Sequence, residues 1–218
     1  GSAVVTALDI VPFALGTDTG GSIRQPASFN GVVGYKPTYG MVSRYGVLAM
    51  ASSTDTMGCF ATTAIDAELV MSIMAGRDDN DMTSLPDYFE PATLDKKLKI
   101  GVIQELMTDD VDSEVLGAVR AKIQAFKDAG HDVESVSLPI VKHTLAMYYI
   151  IVPAEISSNL GRFDGVRYGK RSEQATTLSE LYGMTRNDGF MIENERRILI
   201  GSYVLSSGYF DAYYQQAQ

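Results

Sequence analysis

The stretch VPFALGTDTGGSIRQPASFNGVVGYK, from Val11 to Lys36, predicts two short strands with a glycine-rich loop and a turn between them. Its first apolar run, from Val11 to Gly16, has the length and composition of a buried strand, and Val32 to Lys36 is a second strand of the same kind. Glycine and hydroxyl residues are concentrated in residues 16–28, and Pro26 closes the turn. A loop held by a rigid strand is a common place for a functional site.

Segments further along the chain predict an α/β fold. LKIGVI, from Leu98 to Ile103, has the pattern of a strand. Asp112 to Ala129 is an amphipathic helix that Gly130 ends, and Asp132 to Leu138 is a further strand. Strands connected by a helix in this way are usually parallel, so the three segments predict a βαβ unit. We therefore expect a mixed sheet covered by helices.

Hydrophobic periodicity and helix-end signals predict three more helices. They run from Ala64 to Ala75, from Leu145 to Leu160 and from Gly189 to Ser207. Thr62 and Thr63 provide the cap of the first. Its apolar face is expected to carry Ile65, Leu69, Val70, Ile73 and Met74. The segment from Lys36 to Asp55 alternates glycine, tyrosine and hydroxyl residues, which favours loops that wind over a sheet.

We expect residues 1–218 to form a single domain. A polar linker at about residues 77–95, rich in acidic residues and containing two prolines, separates the part with the glycine-rich loop from the βαβ part. Ala3 to Leu8 is interpreted as the end of an apolar helix whose beginning is missing, because apolar residues start at once with no cap before them. The helical pattern YFDAYYQQAQ, from Tyr209 onward, has no terminator. The sequence is therefore expected to be truncated at both ends.

Composition excludes several classes of function. The formal net charge of -9 opposes direct contact with nucleic acid. A single cysteine, Cys59, excludes an internal disulfide and is interpreted as a small core residue, and the two isolated histidines, His131 and His143, do not predict a metal site. No apolar run approaches the ~20 residues of a membrane span, and the N-terminus lacks signal-peptide features. We therefore expect a cytoplasmic protein without a bound metal and without contact with a membrane.

The glycines before Ser22 give the loop its chemistry. They leave backbone N–H groups free to converge on one point, because no side chain blocks the approach and positive φ costs little. Such a nest binds an anion or a developing oxyanion, and Ser22 at its tip would supply a nucleophile. A tight turn or a phosphate cradle remains the alternative. A P-loop is excluded because Ile23 follows the serine, and a hydrolase elbow because Arg24 replaces its second glycine.

A serine nucleophile needs a base. His131 and His143 are each interpreted as structural, and a serine that works without histidine normally uses lysine. Lys36 is the only lysine near the loop, and we interpret it as a surface or structural residue. Asp18 and Arg24 flank the nest and are interpreted as an ion pair that supports the loop. Separately, Tyr148 and Tyr149 lie on an apolar helix face, where one of them lines a substrate pocket or both pack in the core.

The segment DTGGSIRQPA, from Asp18 to Ala27, resembles the end of the amidase signature. Three further segments resemble the same family, so the resemblance covers almost the whole chain. They are FNGVVGYKPTYGMVSRYGVLAMASSTDTMGCFATTAIDA, EISSNLGRFDGVRYGKRS and GSYVLSSGYFDAYY. Within the amidase signature family, the chain is most similar to the glutaminase subunits of amidotransferases that act on glutamyl-tRNA(Gln). Enzymes of this family use a Ser-cisSer-Lys triad, and the resemblance implies their α/β fold.

The resemblance also implies roles for individual residues. Ser22 would be the acylated nucleophile, and the backbone N–H groups around Thr19, Gly20, Gly21 and Ser22 would form the oxyanion hole. Glutamine would be hydrolysed to glutamate, and the ammonia would pass to partner subunits that amidate glutamyl-tRNA(Gln) at the expense of ATP. The implied partners are therefore glutamine, the other amidotransferase subunits and, through them, the tRNA. No cofactor would bind this chain directly, since the complex uses the ATP.

The sequence also departs from the family. The lysine base of the family lies far upstream, and its bridging cis-serine lies in a GGSSGGS stretch of which Gly1 and Ser2 match only the end. We therefore expect the 218-residue chain to be inactive alone, because a serine hydroxyl without a base is a poor nucleophile. Two alternatives stay open, namely another amide hydrolase of the same family and an anion-binding scaffold module.

Overall fold

The computed structural model describes residues 1–86 and 96–218. The chain divides into two compact units, one formed by Gly1–Pro91 with Tyr148–Gln218 and the other by Ala92–Met147. The α-helices are α1 (Ser2–Ala7), α2 (Arg24–Asn30), α3 (Ala64–Met74), α4 (Ser113–Asp128), α5 (Thr144–Leu160), α6 (Leu178–Gly189) and α7 (Ile192–Val204). The strands are β1 (Phe13–Asp18), β2 (Val33–Tyr35), β3 (Thr56–Ala61), β4 (Lys99–Ile103) and β5 (Asp132–Val136). Short 3-10 helices span Gln104–Leu106 and Pro139–His143, and a π-helix spans Phe210–Gln215.

The first unit contains a three-stranded antiparallel sheet in the order β1-β3-β2. Its central strand, β3, is buried along its whole length, and no element was predicted for it. A strand covered on both faces lacks the alternation that reveals a half-exposed strand, and Gly58 within it further weakens the signal. Gly58 is required here because an added Cβ would overlap the carbonyl oxygen of Tyr35 on β2.

Helix α3 covers this sheet, but with a different face from the one expected. Its buried residues are Ala67, Val70 and Met71, which pack in one cluster with Met57 and Cys59 of β3. The expected apolar face was therefore wrong in part, since Ile65, Leu69 and Ile73 are all more than half exposed. The helix is apolar around most of its circumference, so periodicity alone did not identify the buried side. Its start was predicted correctly, because the Thr63 side chain accepts a hydrogen bond from the Asp66 backbone N–H.

The second unit confirms the βαβ prediction. Strands β4 and β5 are parallel, with Lys99 opposite Asp132 and Ile103 opposite Val136, and α4 connects them. The Asp112 side chain caps α4 by accepting hydrogen bonds from the first backbone N–H groups of the helix. Together with the antiparallel sheet of the first unit, these elements confirm the α/β fold class. In the described residues the parallel and antiparallel strands lie in two separate small sheets, however, and not in one mixed sheet.

The last third of the chain contains one helix more than predicted. Helix α6 begins with a capping box in which Thr177 and Glu180 satisfy each other's backbone N–H groups. The sequence TLSE at residues 177–180 carried this signal, which the prediction did not use. The predicted helix from Gly189 corresponds to α7, which begins three residues later.

The expected linker at residues 77–95 lies partly outside the described residues, which omit 87–95. In its described part, Asp81 is buried and accepts hydrogen bonds from the backbone N–H and the guanidinium of Arg44. Asp78 accepts a hydrogen bond from the Ser43 hydroxyl at 2.7 Å. These contacts fix residues 78–81 against the loop that follows β2.

Candidate active site

The glycine-rich loop joins the end of β1 to the start of α2 and folds around one buried carboxylate. Asp18, the last residue of β1, is 1% exposed. Its oxygens accept hydrogen bonds from the backbone N–H groups of Gly21 at 2.7 Å, Ile23 at 3.1 Å and Arg24 at 3.3 Å. The carboxylate therefore fixes the path of the backbone on both sides of Ser22.

An ion pair completes the environment of this carboxylate. The Arg24 guanidinium donates from Nε at 3.1 Å and from Nη2 at 3.0 Å, which is the bidentate geometry of a strong charge-assisted pair. Burial opposes ionisation of Asp18, but the hydrogen bonds from Arg24 and from the loop backbone outweigh it and lower the pKa to about 2. Asp18 is therefore ionised at neutral pH and is unsuited to proton transfer there.

Ser22 lies exposed between two fixed neighbours. Ile23 is fully buried in a cluster with Ala27 and Phe60, so the chain is anchored directly after the serine. Gly21 has φ of +131°, a conformation that residues with a side chain rarely adopt. Among the described residues, no hydrogen-bond partner holds the Ser22 hydroxyl, which leaves it free for a substrate.

The backbone N–H groups of residues 19–22, the predicted oxyanion donors, differ in their hydrogen bonding. That of Gly21 donates to Asp18. Those of Thr19, Gly20 and Ser22 find no acceptor in the described part of the chain, and all three adjoin the exposed Ser22 side chain or the glycines before it. Unpaired backbone donors are rare unless they meet water or a ligand, so they are candidates for binding an anionic or polarised oxygen.

Tyr148 and Asp55, which are distant from the loop in sequence, also contact it directly. The Tyr148 ring of α5 packs on Gly20 so closely that a Cβ at this position would overlap it, whereas Tyr149 is 50% exposed and meets Tyr148 edge to face. The Thr19 hydroxyl donates to Asp55 at 2.6 Å. The sequence did not predict this role for Asp55. Nothing in its neighbourhood, SSTD at residues 52–55, indicates a hydrogen-bond partner 36 residues upstream.

The other candidates occupy structural positions. Lys36 donates from Nζ to the carbonyl oxygen of Pro37 at 2.7 Å. Cys59 is fully buried on β3, and burial raises the pKa of its thiol, as expected of a core cysteine. His131 accepts a hydrogen bond from the Leu98 N–H and belongs to the second unit. No cluster of metal-ligating side chains occurs within residues 1–86 and 96–218.

Comparison with known proteins identifies the family. The profile of the amidase family matches residues 1–218, the whole sequence. The chain belongs to the amidase family. The family match agrees with the resemblance of residues 18–27 to the amidase signature. Within residues 1–86 and 96–218, no helix combines the length and the apolar character that crossing a membrane requires.

Individual relatives place the chain more closely within the amidase family. It is 49% identical over 223 residues to the A subunit of glutamyl-tRNA(Gln) amidotransferase from Sulfurihydrogenibium sp., covering 100% of this chain and 46% of the relative. The crystal structure of the same subunit from Thermotoga maritima has a TM-score of 0.74 at 38% identity, covering 99% of this chain and 43% of that one. A peptide amidase from Stenotrophomonas maltophilia has a TM-score of 0.69 at 25% identity, covering 99% and 45%. The chain therefore spans about half the length of the relatives it matches.

Proposed function

We propose that this chain is the nucleophile-bearing part of a glutaminase subunit of glutamyl-tRNA(Gln) amidotransferase. The observation that carries the proposal is the exposed Ser22 on a loop whose backbone is fixed by Asp18 and retains unpaired N–H donors. The 49% identity to a relative of that name supports the choice of this subunit. Glutamine as the hydrolysed substrate is what the resemblance to such subunits implies.

In the proposed reaction, Ser22 Oγ attacks the side-chain amide carbon of glutamine. The base takes the proton from the Ser22 hydroxyl as the bond to carbon forms and passes it to the nitrogen. The C–N bond of the tetrahedral intermediate then breaks, ammonia leaves, and a glutamyl ester remains on the serine. Water then attacks the ester, which releases glutamate and restores the Ser22 hydroxyl. Both tetrahedral intermediates carry a negative charge on the former amide oxygen, and backbone donors oriented in advance stabilise such a charge most effectively.

We assign the stabilisation of this oxyanion to the loop backbone at Thr19, Gly20, Gly21 and Ser22. Thr19, Gly20 and Ser22 contribute their unpaired N–H groups, and one such donor is typically worth about 10²–10³ in rate. Gly21 contributes through its conformation, because its N–H holds the Asp18 carboxylate and its φ of +131° turns the chain. The ion pair with Arg24 offsets the negative charge of Asp18 close to the developing oxyanion.

Attack by Ser22 requires a base, which the Ser-cisSer-Lys chemistry of the family supplies. In the described residues of the unit that holds Ser22, the lysines are Lys36 and Lys170, and Lys36 is bound to a backbone carbonyl. We therefore propose that the 218-residue chain is inactive alone. The lysine and the bridging serine would come from a longer chain, in keeping with relatives about twice this length.

In the proposed complex, different subunits carry out glutamine hydrolysis and the amidation of the tRNA. This chain would bind glutamine and release ammonia, while partner subunits bind glutamyl-tRNA(Gln) and use ATP to activate it. Its net charge of -9 suits a subunit that leaves the tRNA to others.

A second candidate is an amide hydrolase that works without partners. The likeness to a peptide amidase at a TM-score of 0.69 supports it. The two candidates differ in partner dependence, because an independent hydrolase turns over small amides alone, whereas the amidotransferase subunit couples glutamine hydrolysis to tRNA and ATP.

The test is glutamine hydrolysis by the full-length chain co-expressed with amidotransferase partner subunits. Ser22→Ala should lower kcat at least about 10³-fold, since it removes the nucleophile. Ser28→Ala is the matched control, because Ser28 is also exposed and lies further along the chain, within α2. Ser22→Ala with wild-type turnover would contradict the proposal, and partner-independent hydrolysis of other amides would favour the second candidate.

A further inference from the structure

We propose that Asp55 is a positioning residue that holds the oxyanion-hole backbone in place through the Thr19 hydroxyl. This inference rests on the proposed function, because it assigns a role to Asp55 in the reaction at Ser22. Asp55 itself lies outside the glycine-rich loop, directly before β3.

Asp55 is a buried carboxylate whose hydrogen bonds connect two loops. It is 5% exposed and accepts from the Thr19 hydroxyl at 2.6 Å through Oδ1. The same carboxylate accepts from the backbone N–H of Met50 at 2.8 Å and from that of Ala51 at 3.1 Å. The two backbone donors fix Asp55 within its own turn, so the bond to Thr19 transmits that fixed position to the glycine-rich loop.

A hydrogen bond at Thr19 restrains the backbone of the loop directly before its two glycines. Gly20 and Gly21, which follow it, have no side chains and would otherwise sample a wide range of φ and ψ. Asp18 fixes the loop through N–H groups at Gly21, Ile23 and Arg24, so its direct contacts lie after Gly20. The Thr19 side chain is therefore the hydrogen-bonded anchor directly before the two glycines.

The turn that carries Asp55 is itself held by helix α5. The Ser53 backbone N–H donates to Glu155 at 2.9 Å, and the Asn159 side-chain amide donates to the carbonyl oxygen of Met50 at 3.1 Å. The same helix carries Tyr148, whose ring packs on Gly20. Helix α5 thus supports the loop both directly, at Gly20, and through the turn that ends in Asp55.

Loss of the hydrogen bond between Thr19 and Asp55 should lower kcat, because catalysis depends on the exact position of the oxyanion donors. Displacement of a reacting group by about 1 Å can cost about 10² in rate, and one oxyanion donor contributes about 10²–10³. Loss of the Thr19 restraint allows the N–H groups of Thr19 and Gly20 to move without removing either of them. We expect a partial loss, about tenfold in kcat, with KM changed less than about twofold, because the restraint acts on the transition state.

The experiment uses the full-length chain with its partner subunits and compares Thr19→Val, Thr19→Ser and Thr54→Val. Valine at position 19 keeps the shape and removes the hydroxyl, whereas serine restores it. Thr54→Val is the matched control in the same turn, because the Thr54 hydroxyl makes only a 3.4 Å contact with the Ala51 carbonyl. The readouts are kcat and KM for glutamine and the rate at which a fluorophosphonate labels Ser22.

Thr19→Val should lower kcat about tenfold and slow labelling, and Thr19→Ser should recover most of the kcat that Thr19→Val loses, while Thr54→Val stays within about threefold of wild type. Asp55→Asn replaces one acceptor oxygen by an NH2 group among the Thr19, Met50 and Ala51 donors, so it should lower kcat at least as much as Thr19→Val. The double variant should lose little more than Asp55→Asn alone, since both changes weaken the contact between Thr19 and Asp55. If Asp55→Asn does not fold, the comparison of Thr19→Val with Thr19→Ser decides alone.

Two results would overturn the inference while leaving the proposed function intact. One is wild-type kcat in Thr19→Val, and the other is an equal loss in Thr19→Val and Thr19→Ser, either of which shows that the hydroxyl has no part in catalysis. If the wild-type enzyme is not labelled at Ser22, or if Ser22→Ala retains turnover, the proposed function fails and this inference fails with it.

Discussion

Replacing Asp18 by asparagine keeps the size of the side chain but removes the negative charge that accepts hydrogen bonds from the backbone of the glycine-rich loop. In the wild type, the pKa of this buried carboxyl falls from 3.8 to about 2, because Arg24 and three backbone N–H groups stabilise the ionised form more than burial opposes it. A shift of that size corresponds to about 2 kcal/mol of stability at neutral pH.

The contribution of Asp18 to the free energy of unfolding depends on pH. A carboxyl whose pKa is lower in the folded state stabilises the fold fully above its unfolded value of 3.8, and this contribution disappears as the pH falls towards 2. We therefore expect Asp18→Asn to be about 2 kcal/mol less stable than wild type at pH 7, with the difference shrinking between pH 4 and pH 2.

The assay is urea unfolding followed by circular dichroism, combined with hydrogen exchange at the Gly21 and Ile23 amides, which donate to Asp18. Exchange at these two amides should accelerate in the variant. Asp79→Asn is the control, because Asp79 is 87% exposed and its partner among the described residues is the exposed Arg77, so its loss should cost about 0–1 kcal/mol. The claim that the ionised Asp18 stabilises the loop would be wrong in either of two cases. In one, Asp18→Asn lowers the free energy of unfolding no more than Asp79→Asn does. In the other, its effect stays constant down to pH 2.

Three further predictions concern close packing around the site. Gly20→Ala should lower kcat about tenfold, because its Cβ overlaps the Tyr148 ring, and Tyr148→Leu in the same chain should recover part of the loss in a glutamine hydrolysis assay. Gly58→Ala should lower the free energy of unfolding by about 3 kcal/mol, since its Cβ overlaps the Tyr35 carbonyl oxygen, and thermal unfolding measures this. Cys59 should resist iodoacetamide in the folded protein and react after denaturation, as mass spectrometry can follow, because the thiol is fully buried and its pKa is raised.

Local signals were enough to predict much of the fold. The βαβ unit combines strands of the right length, the cap at Asp112 and the helix end at Gly130, which has φ of +84°. Each of these signals acts within a few residues of the element it defines, so they can be read from one sequence. The glycine-rich loop was located for the same reason, although β1 continues to Asp18 rather than ending at Gly16.

Features that depend on neighbouring layers were missed. Strand β3 is paired along both edges by β1 and β2, whereas its faces are covered by α3, which packs on Met57 and Cys59, and by the cluster of Ala3, Ile23 and Ala27, which packs on Phe60. Neither position is encoded in the six residues of the strand itself. In α3, Ile65 and Val70 are both apolar, and only the packing against β3 makes one exposed and the other buried. Hydrophobic patterns predict that a face is apolar, but not which layer it meets when most faces are apolar.

The position of the glycine-rich loop and its ion pair could be predicted from the sequence, whereas the distant contacts that support the loop could not. The spacing of glycines and serine suggested a nest at Ser22, and Asp18 with Arg24 suggested an ion pair, because these residues are adjacent in sequence. The contact between Thr19 and Asp55 spans 36 residues and that between Gly20 and Tyr148 joins distant parts of the chain. Such contacts arise only when the sheet and α5 have assembled.

The most direct test of the central claim is to trap the acyl-enzyme. The full-length chain with its partner subunits would be mixed with glutamine, quenched in acid and digested, and mass spectrometry would locate the glutamyl ester. We expect the ester on the peptide that contains Ser22 and its absence from Ser22→Ala, which should also lose glutamine hydrolysis. An enzyme that hydrolyses glutamine with the ester on another residue, or with unchanged turnover in Ser22→Ala, would contradict the central claim.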